Sequence, residues 1–161
     1  MKSLIKLIFG DASLNEEKIE SNLQKHLNEY NGKLEISQYF VLSKSYEVFY
    51  YSEYSYKTPN KILEKFKRKT VIWLDDTHNL LGFSNDESCL LFNLDEVKSF
   101  SITNILPAKL SGASFLNIQL IHEKQAIQLT TSTPKDFDGY AEGIHEMSKI
   151  DVIFEREFYD C

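Results

Sequence analysis

The chain has 161 residues, a net charge of −6, 42% hydrophobic residues and 26% charged residues. These values fit one soluble globular domain spanning residues 1–161, and three prolines with six glycines leave no room for a long flexible linker. Two cysteines, Cys89 and Cys161, cannot build a disulfide framework, and no apolar run reaches the length of a membrane span, so a cytoplasmic address without membrane contact is expected.

The chain opens with an expected strand, Lys2–Phe9, whose apolar run is broken by Lys6 and lacks the form of a secretory signal. Ser13 precedes Glu16 by three residues, the spacing of a capping box, and Ile19, Leu23 and Leu27 then recur every four residues. This predicts an amphipathic helix over about residues 14–30, ended by Asn31-Gly32. Leu34, Ile36, Phe40 and Leu42 alternate as a strand, and a second strand over Tyr46–Tyr54 is expected to pair with it as a hairpin.

Five of the nine tyrosines fall in that region, at Tyr46, Tyr50, Tyr51, Tyr54 and Tyr56. Tyrosine joins a large apolar ring to a polar tip, a combination suited to surfaces that are wet alone and dry in a complex. An extended backbone puts Tyr46, Val48, Tyr50 and Tyr54 on one face and Phe49 and Tyr51 on the other. One face packs into the core on this reading, and the other needs a cover. Thr58-Pro59 starts a short helix with Ile62, Leu63 and Phe66 as its apolar stripe.

Beyond Thr70 the period changes to two. Strands are expected at 71–74, 80–83, 88–94, 97–102, 115–122 and 126–131, with turn chemistry at Asp75-Asp76-Thr77, Ser84-Asn85-Asp86 and Glu123-Lys124. Thr133-Pro134 opens a last helix striped by Phe137, Tyr140, Ala141, Ile144 and Met147, and Val152, Phe154 and Phe158 suggest a closing strand. The expected class is α+β, with a mostly antiparallel, bent sheet on which an amphipathic N-terminal helix and a C-terminal helix pack.

Charge is unevenly spread. Residues 57–69 carry Lys57, Lys61, Lys65, Lys67, Arg68 and Lys69 against Glu64, so the rest of the chain sums to −11. The final 26 residues alone hold eight acids against Lys149 and Arg156. An acidic majority repels nucleic acid and anionic lipid and steers association toward basic partners.

The candidate chemistry is thin. Asp75-Asp76-Thr77-His78 gathers potential metal ligands, but adjacent residues on a turn seldom converge on one ion, and a hairpin turn explains the string as well. Asp86 with Glu96-Val97-Lys98 echoes the Asp…Glu-x-Lys pattern of metal-dependent nucleases, as does Glu16-Glu17-Lys18, which shows how cheaply the pattern arises. The four histidines are scattered, neither cysteine has a CxxC neighbour, and the glycines are isolated. No catalytic residue, metal or cofactor is therefore assigned, and stacking of single-stranded nucleic acid on the tyrosines is opposed by the negative field.

The segments SCLLFNLDEVKSFSI and LNIQLIHEKQAIQLTTSTPKDFDGYAEGIHEM, within residues 88–148, resemble the bacterial PH-like family. The resemblance implies a strand, an acidic "DEV" step, a further strand, a hairpin and a C-terminal helix plugging a bent sheet. The small, acidic, motif-free character of the whole chain resembles that of immunity proteins that neutralise bacterial toxins. On that resemblance the chain is a non-catalytic binding domain that occludes the active site of a basic partner, a cognate toxin domain. Tyr51, Tyr54 and Tyr56 are the expected anchors, and Asp75, Asp76, Asp86 and Glu87 the expected carboxylates, because two turns of one meander present them. The alternatives are a PH-like adaptor or self-associating homo-oligomeric scaffold, and a metal-dependent hydrolase using the Asp75–His78 turn.

Overall fold

The computed structural model describes residues 33–44, 46–49, 55–67, 69–109 and 111–159. Eleven strands and two short α-helices make up its regular structure, in the order β1 (Gln38–Val41), β2 (Glu47–Phe49), β3 (Ser55–Lys57), α1 (Asn60–Phe66), β4 (Val71–Asp75), β5 (Leu80–Ser84), β6 (Ser88–Asn93), β7 (Val97–Leu106), β8 (Ala113–Leu120), β9 (Ile127–Thr131), α2 (Ala141–Ser148), β10 (Val152–Phe154) and β11 (Phe158–Tyr159). The strands form two sheets. One runs β1-β4-β5-β6-β3 and the other β10-β7-β8-β9-β2, with β11 also on β7.

This corrects the α+β expectation. The described chain is mostly β, built on two sheets rather than one bent sheet, and its helices span only seven and eight residues. The expected N-terminal strand and amphipathic helix lie outside the described residues.

Sequence pattern explains why the central strands of the first sheet, β4 to β6, are buried so completely. Val71, Ile72, Trp73 and Leu74 form an unbroken apolar run, the mark of a strand covered on both faces. Ile72 and Leu74, with Leu81, Phe83, Leu90 and Phe92, face the second sheet and share a core with Phe100, Ile102, Leu116, Ile118, Ile127 and Leu129. Val71 and Trp73 point the other way, into a smaller core with Leu34, Tyr56, Ile62, Phe66, Cys89 and Leu91. Helix α1 caps that side with Ile62 and Phe66.

The second sheet is buried on one face only, so β9 alternates strictly. Its other face carries a polar ladder. Asn117 donates to the hydroxyls of Ser101 (3.3 Å) and Thr103 (3.0 Å), and Gln128 donates to the Asn117 carbonyl at 2.7 Å.

The chain changes sheets at the Leu94–Glu96 3-10 turn, where the Asn93 side chain accepts from the Asp95 N–H. The acidic step before β7 is thus the corner between the layers. Strand, corner, strand, hairpin partner and helix follow one another over residues 88–148 in the order that the resemblance implies. Helix α2 contacts both β1 and β10, one edge strand of each sheet, and buries Ile144 and Met147 in the shared core. Gly143 admits this approach, since a Cβ there would meet the Phe40 ring at 3.2 Å. A 3-10 turn at Asp136–Tyr140 takes up the first part of the expected last helix.

Among the described residues, the predicted hairpin of β1 with a Tyr46–Tyr54 strand does not form. Strand β1 pairs with β4, β2 pairs with β9 in the second sheet, and β3 pairs with β6 in the first. Helix α2 ends on Lys149 in the left-handed conformation (φ 60°), donating its N–H to the His145 carbonyl at 2.8 Å. A side chain costs about 1 kcal/mol in that conformation, and glycine avoids the cost. Lys149→Gly is therefore expected to raise stability by about that amount in urea unfolding; a loss would show that the lysine chain itself supports the helix end.

Candidate protein-binding surface

Asp75 ends β4 and is wholly buried. Its carboxylate accepts the Glu35 N–H (2.9 Å), the His78 N–H (3.0 Å) and the His78 Nδ1 proton (2.8 Å), so the imidazole is the Nδ1–H form or the cation. Burial pushes the carboxyl up, but the three donors outweigh it and hold its pKa below the ordinary value. Thr77 donates to the Glu35 carboxylate at 2.9 Å, which ties the turn a second time to the segment before β1. Asp75 thus pins the β4–β5 turn and has no oxygen at the surface, whereas Asp76 is exposed.

Asp86 and Glu87 are exposed in the β5–β6 turn, which Asn85 organises by accepting from the N–H groups of Glu87 and Ser88. This turn and the Asp76 turn lie at opposite ends of β5. Five strand residues place them on the order of 16 Å apart. The meander therefore does not bring the four carboxylates together. The register also sets Lys57 opposite Ser88, at the start of the basic segment, so the Asp86 turn borders positive charge.

Tyr51 and Tyr54 lie outside the described residues. Tyr56 is buried opposite Cys89 in the smaller core, where it anchors β3 instead of presenting a ring to a partner. Tyr46 is buried in the main core, and burial, with Cys89 nearby, pushes its phenol well above the ordinary value. Burial likewise pushes the Cys89 thiol up to about 12, so it is unsuited to nucleophilic work.

Among the described residues no three His, Cys, Asp or Glu side chains are grouped to hold a metal ion. An open groove of about 370 Å³ is lined by Ile36, Lys61, Glu64 and Lys65. Its lysines are engaged locally: Lys61 donates to the Leu34 carbonyl, and the Lys65 ammonium sits 5.1 Å from the centre of the Tyr39 ring.

The surface with the strongest binding character is the C-terminal edge of the second sheet. Of the seven exposed large hydrophobics among the described residues, four lie here: Ile153, Phe154, Phe158 and Tyr159, each more than half exposed. Both β10 and β11 run parallel to β7, with Phe154 opposite Ile102 and Phe158 opposite Ile105. Between these pairs three residues, Glu155-Arg156-Glu157, span what Thr103 and Asn104 span on β7, so the C-terminal segment carries one extra residue as a bulge. Glu157 pairs with Lys135 at 3.0 Å, and Asp151, 90% exposed, lies 3.4 Å from His145. Sequence reasoning missed this site. The signal was present in Phe154, Phe158 and Tyr159 interleaved with acids, but it read as an ordinary closing strand.

No helix among the described residues is long and apolar enough to cross a membrane. In solved structures the chain is similar to one chain of the Spt16D Pob3N heterodimer, at 13% identity and a TM-score of 0.37. The alignment covers 71% of this chain and 56% of that one, so only a little over half of the solved chain is matched. The family described as the PM0294 C-terminal domain matches residues 26–159, all but the first 25 and the last two, and the chain belongs to that family.

Proposed function

We propose that this chain is a non-catalytic protein-binding domain of the immunity type, which seats a basic toxin domain and occludes its active site in the cytoplasm. The observation that supports the reading is the exposed aromatic edge at β10 and β11, set among carboxylates. Aromatic anchors supply most of the affinity in protein interfaces, and surrounding acids raise the encounter rate with a basic partner. The net charge of −6 acts in the same direction, with Asp76, Asp86 and Glu87 contributing to the long-range field rather than to one contact patch.

Co-expression with the toxin encoded beside its gene is expected to restore growth of a sensitive host. The purified pair should form a one-to-one complex that weakens about tenfold or more between 50 and 300 mM salt. A host that still dies, with no complex at low salt, would end the immunity reading. A PH-like adaptor or self-associating scaffold is the second reading, favoured by the order of elements over residues 88–148. Self-association of the purified chain in the same experiment would select it.

A further inference from the structure

We infer that the outer edge of β10 takes up a short, extended, basic segment of the partner as an added strand. This rests on the protein-binding reading and names the chemistry of what is bound. Among the described residues β10 ends its sheet, with β7 on one side and no strand on the other, and helix α2 also packs against it. The Glu155 N–H donates inward to the Ile102 carbonyl at 2.9 Å. Backbone direction alternates along a strand, so the N–H and C=O groups of Val152 and Phe154 point outward, away from β7. They offer an incoming strand its hydrogen bonds.

Side chains on both faces of β10 are placed to grip that strand. Ile153 lies beside Ser101 on the polar face of the sheet, and Phe154 lies beside Ile102 at the rim of the core. They are 53% and 56% exposed. An added strand would cover one with each of its alternating side chains.

Charge decides what the strand is. Lys135 engages Glu157, so Asp151 and Glu155 are the carboxylates that bracket the three-residue edge, with Lys149, Arg156 and His145 the cationic groups nearby. A second copy of the chain is the natural competitor, as for any open edge. Antiparallel pairing of β10 with its own copy, with Val152 opposite Phe154, would centre on Ile153 and set each Asp151 against the other chain's Glu155. Like charges directly opposite oppose that pairing. A segment with lysine or arginine on either side of a few apolar residues meets the same carboxylates favourably. The bulge at 155–157 limits the added strand to a few residues. In that register the acidic bracket disfavours the chain itself, and it admits a basic strand.

The test uses the full chain and a labelled ten-residue peptide of alternating lysine and valine. Two control peptides carry glutamate in place of lysine, or proline at alternate valines with all lysines kept. Fluorescence anisotropy is expected to show the lysine–valine peptide binding at least tenfold tighter than either control. The double variant Asp151→Lys, Glu155→Lys should lose at least tenfold, and amide exchange should slow at Val152 and Phe154. Equal binding of the proline peptide would reduce the effect to charge attraction and overturn strand addition. So would absence of binding, or dimerisation of the chain on a sizing column. The two readings fail separately. Neutralisation that survives the double variant removes the edge from the interface and leaves the immunity function, whereas peptide binding without neutralisation does the reverse.

Discussion

Gly82→Ala is expected to destabilise the protein by about 3 kcal/mol or more, among the larger losses available to a single methyl group. Gly82 sits opposite Trp73 in the antiparallel register of β4 and β5. A Cβ at position 82 would lie 2.1 Å from Trp73 Cε2 and 2.2 Å from Cζ2, far inside van der Waals contact. The indole therefore lies across the glycine, in space that any other residue would fill. It has little freedom to yield, because Trp73 is wholly buried, donates its Nε1–H to the Ser84 hydroxyl at 2.8 Å, and is walled in by the smaller core. Urea unfolding measures the loss. Trp73 is the single tryptophan, so its emission reports directly, and a red shift is expected as the ring is driven toward water. Parent-like stability and emission would mean that the ring is not held across position 82.

Asp75→Ala is expected to cost about 3 kcal/mol, for a different reason. Truncation removes a buried charged acceptor and strands three donors: the N–H groups of Glu35 and His78 and the His78 imidazole. The effect should also depend on pH, with a definite sign. The folded-state pKa of Asp75 is lowered, so its stabilisation is fully present above the unfolded value of about 3.9 and is lost as pH falls through the folded value. The stability gap between parent and variant should stay constant near neutrality and narrow below about pH 4. A gap that held its full size through acid titration would show that lost packing, not the charged hydrogen bonds, accounts for the difference. Asp75→Asn keeps one carbonyl acceptor and should lie between the two.

These residues also show how far local sequence carries. Strands β4 to β7 fall close to their expected positions, because alternation and turn chemistry act within a few residues. Asn79 adopts the left-handed conformation the first turn needs (φ 57°), and Asn85 binds the amides of the second. Helix α1 was legible from the spacing of Ile62 and Phe66, although Pro59 rather than Thr58 takes the N-cap position and the Thr58 hydroxyl donates instead to the Asn85 carbonyl. The distinction between Asp75 and Asp76 was not. Both are acids on one turn, and only the approach of Glu35, forty residues earlier in the chain, makes Asp75 a buried staple.

The tyrosine segment misled for a related reason. Its aromatic pattern marks extended backbone, but alternation does not name a pairing partner. Strands β2 and β3 find theirs in different sheets, and Tyr56 becomes core. Composition and short-range period therefore determined the acidity, most strand positions and the basic helix. Tertiary structure alone decided that there are two sheets, that the closing strand runs parallel to β7, and that its aromatic residues stay exposed. Pairing depends on which apolar faces can be buried together across long stretches of chain, and no window of a few residues contains that information.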